Sequence, residues 1–221
     1  MRAVWLIKDG GRRLTLFFGG WGLDERSVGH LTSSGKVLMY HDYRDVETGD
    51  APDVTGYDVV DVVAWSMGVW AASVSLARWG ITPRRAVALN GTERPVDDLL
   101  GIPPAIYALT ERGMNERGWE KFITRSLADD EERALFRARC LPRRGLEERV
   151  EELRRVREQS ARACPVMPWH RAFISCKDVI FPVENQRNWW QGRTEITGLA
   201  GGHYPFFRFT SWESIIEYGN R

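Results

Sequence analysis

The segment from Val59 to Ala77 constrains this chain more than any other. A β-branched apolar run, Val59-Val60-Asp61-Val62-Val63, leads into Ala64-Trp65-Ser66-Met67-Gly68, and a helix-favouring stretch from Val69 to Ala77 follows at once. A strand that becomes a helix through one serine needs a sharp turn, and the turn needs small residues two positions either side of that serine. Gly68 meets the requirement, and Ala64 stands where glycine is commoner, adding one methyl group. Such a turn lifts the side-chain oxygen above the sheet, so Ser66 is read as a nucleophile. The plain alternative is a buried serine at a strand end.

Context favours the nucleophile. That reading requires an oxyanion loop after an earlier strand, an acid after a later one and a histidine near the end, in this order. Gly19-Gly20-Trp21-Gly22 follows the strand-like run Arg13 to Phe18, and the backbone N–H groups of Trp21 and Met67 are the expected oxyanion hole. A plain glycine turn is the alternative, and a phosphate loop is disfavoured because no Gly-Lys-Ser/Thr follows. Asp178, which follows the apolar run from Ala172 to Ile174, is the expected acid, its alternative being an N-cap for a helix near Glu184. Of the four histidines only His203, in Gly201-Gly202-His203-Tyr204-Pro205, comes after that acid. Ser66, Asp178 and His203 thus form the expected triad.

Runs near Ala3, Leu14, Lys36 to Tyr40, Val59 and Arg85 to Leu89 read as strands alternating with helical segments. The expected architecture is α/β, an α/β-hydrolase fold whose mostly parallel central sheet is flanked by helices. Between Gly101-Ile102-Pro103-Pro104 and Cys164-Pro165 the text becomes helical and charge-rich, and strand text resumes at His170. Residues 101–164 are therefore expected to form a helical cap insertion in a single core domain of residues 1–100 and 165–221.

Several segments are narrower than this general pattern. Phe17-Phe18-Gly19-Gly20-Trp21-Gly22, Trp65-Ser66-Met67-Gly68-Val69-Trp70, Ala88-Leu89-Asn90-Gly91-Thr92, Gly101-Ile102-Pro103 and Phe206-Phe207-Arg208-Phe209-Thr210-Ser211-Trp212 resemble the short BioG-type esterases of biotin synthesis. The resemblance spans nearly the whole chain. It implies hydrolysis of the methyl ester of pimeloyl-[acyl-carrier protein], giving methanol and the free acid, with the acyl carrier protein as partner. The residues alone leave open another ester or thioester hydrolase, or a ligand-sensing module that keeps the fold.

Acyl carrier proteins are acidic, so cationic insertion residues are candidate contacts, with Arg143 and Arg144 the purest pair. Most neighbouring arginines read instead as solvated partners of glutamates, Arg155 with Glu151 among them. Trp65, Phe206 and Phe207, together with Trp21, are candidates to wall an apolar acyl channel because they adjoin the expected catalytic positions. The chemistry requires neither metal nor organic cofactor.

A net charge of +1 and the lack of a purely basic block disfavour a nucleic-acid partner. The start of the chain is unlike a signal peptide, and no apolar run approaches the roughly 18 residues that span a bilayer. Cys140, Cys164 and Cys176 are odd in number and contain no C-x-x-C pair, which suits a reducing cytoplasm and disfavours a disulfide framework or zinc site. Cys176 is expected to be a core thiol.

Overall fold

In the computed structural model, which describes residues 1–162 and 165–219, the apolar runs become strands. They are β1 (Arg2–Ile7), β2 (Arg13–Phe18), β3 (Lys36–His41), β4 (Val59–Trp65), β5 (Arg85–Leu89), β6 (Arg171–Ser175) and β7 (Glu195–Leu199). One sheet results, in the order β1-β3-β2-β4-β5-β6-β7, with every neighbouring pair parallel except β1 with β3. Central parallel strands are covered on both faces and so lose the alternation of half-exposed strands. Accordingly Leu16-Phe17-Phe18 of β2, Val62-Val63-Ala64 of β4 and Ala86 to Leu89 of β5 are buried without a break.

Helix α1 (Gly68–Trp79) links β4 to β5, packs on β2 and β4, and is buried from Gly68 through Leu76. It stops at Gly80, whose φ of +65° lets its N–H reach Leu76 O. Four helices, α2 (Pro104–Arg112), α3 (Glu116–Ser126), α4 (Asp130–Arg139) and α5 (Leu146–Ser160), lie between β5 and β6. Their starts follow local chemistry: Pro104 sits in the first turn of α2, the Asn115 side chain accepts from Gly118 N, and that of Asp129 accepts from Glu132 N. Glu151 and Arg155 pair at 3.1 Å, as their spacing predicts. Helix α6 (Val183–Trp190) packs on β6 and β7, and α7 (Trp212–Ile216) on β4 and β5.

Two expectations need correction, and one strand was not expected. Strands and helices do not alternate before β4: a one-turn 3-10 helix (Glu25–Val28) stands between β2 and β3, and residues 42–58 hold no helix. Asp45 and Asp53 explain the second gap, because their carboxylates accept nearby backbone N–H groups and stabilise turns instead. Strand β7 was not legible in the text, since its edge position leaves Glu195 and Ile196 exposed. Cys176 is exposed because β6 ends at Ser175, whereas Cys140 is buried; Cys164 lies outside the described residues. No described helix is long and apolar enough to cross a membrane.

Candidate active site

Ser66 sits at the turn from β4 into α1 with φ +58°, a backbone state that side chains other than glycine rarely adopt. Its N–H is tied to Leu89 O at 2.9 Å. Two glycines make room for the turn. A Cβ on Gly68 would strike the carbonyl oxygens of Phe18 and Gly19, and one on Gly91 would strike the carbonyl of Ser66 itself. The left-handed state costs roughly 1–3 kcal/mol, and burial of α1 beneath it holds the turn in place.

Three expected residues meet there. His203 Nδ1 donates to Asp178 Oδ2 at 2.8 Å, which leaves Nε2 to accept from Ser66 Oγ at 2.9 Å. Asp178 and His203 side chains are fully buried. Asp178 is not the helix N-cap that was its alternative: its Oδ1 accepts from Ile180 N and Phe181 N, both at 2.9 Å, and so organises the turn after β6 instead. The cap residue of α6 is Pro182.

Side chains outside the expected set hold these three in place. Gln186 of α6 is buried and donates to Asp178 Oδ2 at 3.1 Å and to Phe181 O at 2.8 Å. Asn90, at φ +46°, accepts from Ser175 N at 2.7 Å and donates to His203 O at 2.8 Å. Trp65 Nε1 donates to the same His203 carbonyl at 2.8 Å. One amide thereby joins the ends of β5 and β6 to the histidine loop.

Among the described residues, neither Trp21 N–H nor Met67 N–H donates to another protein group. Met67 precedes the first turn of α1, where helix N–H groups lack partners and attract negative charge. Residues Trp21 and Gly22 are gripped from α5. Trp21 Nε1 donates to Arg149 O at 2.8 Å, and Gly22 N donates to Glu152 Oε2 at 3.1 Å. Glu152 is completely buried, and desolvation pushes its carboxyl above the usual range despite the Arg144 guanidinium beside it.

A cavity of about 580 Å³ opens beside Ser66 and Met67, within the roughly 300–1,000 Å³ typical of small-molecule sites. Trp21, Ile102, Tyr107, Met114, Phe122 and Leu153 contribute apolar wall, while Arg117, Lys121 and Arg125 of α3 also line it. A hollow of about 620 Å³ against β1 and β3 contains none of the expected site residues.

The expected channel residues other than Trp21 are elsewhere. Trp65 is tied to the histidine loop, Phe206 packs between Phe17 and Trp65, and Phe207 packs on His30 and Tyr204. None of the three lines the cavity, because adjacency in sequence to a catalytic position says nothing of which way a ring points. Arg144 is also corrected as a carrier contact: its side chain is 3% exposed and bonds Glu152 at 2.6 Å and Asp42 at 3.1 Å. Arg143 is exposed but does not line the cavity.

The family model described as "Pimeloyl-ACP methyl esterase BioG" matches residues 1–215. The chain belongs to the BioG family. A solved structure of BioG from Haemophilus influenzae superposes with a TM-score of 0.89 at 32% identity, covering 98% of this chain and all of that one. A relative from Bacteroides fragilis named malonyl-[acyl-carrier protein] O-methyltransferase is 38% identical over 192 residues, which are 86% of this chain. The match spans only 39% of that longer relative. MGS-M2, an alpha/beta hydrolase enzyme from a deep-sea metagenome library, superposes with a TM-score of 0.58 at 14% identity, a likeness of fold alone. It covers 99% of this chain and 90% of MGS-M2. This BioG-family chain therefore has the α/β-hydrolase fold.

Proposed function

We propose that this chain is a serine esterase that hydrolyses the methyl ester of pimeloyl-[acyl-carrier protein]. The hydrogen-bonded series Ser66–His203–Asp178, raised on a positive-φ turn beside a largely apolar cavity, carries the reading. His203 Nε2 takes the Ser66 proton as Oγ attacks the ester carbonyl, and Asp178 holds the ring in the Nδ1-protonated tautomer and stabilises the imidazolium. Backbone N–H groups of Trp21 and Met67 receive the oxyanion. The proton on Nε2 passes to the departing methoxide, which leaves as methanol. Water then gives a proton to His203 and attacks the acyl-serine, and collapse returns that proton to Ser66 Oγ with release of the free acid.

For the carrier protein we assign α3 in place of Arg144. Arg117, Lys121 and Arg125 are four residues apart, so they share one helix face at the cavity. Among the described residues none of the three has a carboxylate partner, whereas Arg133, Arg137, Arg154, Arg155 and Arg157 of the same insertion do. Arg125 instead donates to Val179 O at 3.0 Å, beside the loop that holds Asp178. An acidic carrier docked there would face cations with free capacity.

The test is methanol release from methyl pimeloyl-[acyl-carrier protein], with Ser66→Ala and a panel of ethyl and shorter-chain esters and thioesters alongside. Turnover that Ser66→Ala lowers by at least about 10⁴-fold is the expected result. Cleavage of other esters with no methanol from the carrier substrate would overturn the substrate while leaving the hydrolase.

A further inference from the structure

The insertion does more than roof the cavity. From the hydrogen bonds that converge on α5, we infer that Glu152 is a positioning residue for the oxyanion loop, which makes that helix a standing part of the catalytic apparatus. This rests on the reading of Ser66 as nucleophile and Trp21 N–H as oxyanion donor.

Glu152 spends a buried carboxylate on three donors. Oε1 accepts from Tyr43 N at 2.8 Å, and Oε2 accepts from Gly22 N at 3.1 Å and from Arg144 Nη1 at 2.6 Å. Two of these are backbone groups of the β2 and β3 loops, so the side chain fixes main chain and not merely another side chain. One turn earlier on α5, Arg149 O holds the Trp21 indole. The bonds to Trp21 and Gly22 therefore bracket the peptide that follows the Trp21 N–H. Gly22 is at φ +74°, and a Cβ there would lie 2.9 Å from the Trp119 ring, so the loop is also pressed against α3. A donor aimed at a reacting atom tolerates little displacement, since a misplacement of about 1 Å costs on the order of 10²-fold in rate.

A buried ion pair that serves packing alone can be exchanged for apolar side chains with little loss. An acceptor that positions a backbone donor cannot. The decisive variant is thus Glu152→Met combined with Arg144→Met, which leaves Asp42 paired with Arg2 and Arg44. On a small aryl ester such as p-nitrophenyl butyrate, kcat is expected to fall about 10- to 100-fold with KM within about two-fold. The acid-limb midpoint of the kcat/KM pH profile is expected to stay in place, because His203 and Asp178 are untouched. Glu152→Gln, which keeps one acceptor oxygen, is the second variant should the first not fold, and is expected to lose less. A folded variant with kcat within two-fold of the natural chain overturns the inference, as does a KM or pH midpoint that shifts along with kcat. A natural chain inert on the ester and unlabelled at Ser66 by a fluorophosphonate overturns the hydrolase reading itself, and the role of Glu152 with it.

Discussion

Ser66 shows how one residue in a left-handed turn depends on its neighbours. Its turn requires Gly68 and Gly91, and the histidine opposite it requires Asn90, whose amide reaches both Ser175 and the His203 carbonyl. Asn90→Ala should leave the buried Ser175 N–H without its acceptor, while the His203 carbonyl keeps only Trp65 Nε1, lowering stability by about 1–3 kcal/mol, with thermal unfolding as the readout. Ester turnover should fall with it, and so should the rate at which a fluorophosphonate labels Ser66, since both need His203 as base. Glu93 gives a second residue-scale prediction. It is buried, accepts from Met167 N and Trp169 Nε1, and leaves Oε2 unpartnered; burial pushes its carboxyl above the ordinary 4.5. An acid whose folded pKa is raised supports folding below its unfolded value and loses that support as pH rises through the folded one. Melting temperatures of the natural chain should therefore fall relative to Glu93→Gln as pH climbs from about 4.5 toward 8. Ser66, Asp178 and His203 were legible because turn chemistry and chain order mark them. Asn90 was visible only within a resembling segment, and Gln186 carried no signal, since a glutamine in polar helix text does not announce burial.

At the scale of elements, α3 and α5 differ among the four helices between β5 and β6. Helix α3 presents cations to the cavity, and α5 turns Glu152 inward. Arg117→Glu together with Lys121→Glu should raise KM for a carrier-borne ester about ten-fold, leaving kcat/KM on a free small methyl ester unchanged. Equal losses on both substrates would remove α3 from the docking surface. Arg144 and Arg143 look alike in sequence, yet one is buried on two carboxylates and the other is exposed, because burial depends on which partner the fold delivers. The same limit hid β7, whose exposed residues carry no apolar run. Strands β2, β4 and β5 were legible since cover on both faces forces their text to be continuously apolar.

Across the whole molecule, the ion pairs Arg2–Asp42, Arg144–Asp42 and Arg144–Glu152 tie an edge strand, the β3 loop and the start of α5 together. Hydrogen exchange should report this as shared stability: amides of Glu152 to Val156 protected nearly as well as those of β4, and those of α2, with only Tyr107 buried, exchanging sooner. Fast exchange throughout α5 would mean that this helix opens independently of the sheet. The cations of α3 have a different, kinetic consequence. On a molecule of net charge +1 they form a local field instead of a general attraction, and that field is screened over about 8 Å at physiological ionic strength. Raising salt should then slow how often an acidic partner arrives in the right orientation, without altering how quickly a bound ester is cut. On the proposed function, arrival and scission are separately adjustable, one by the medium and the other by the geometry around Ser66.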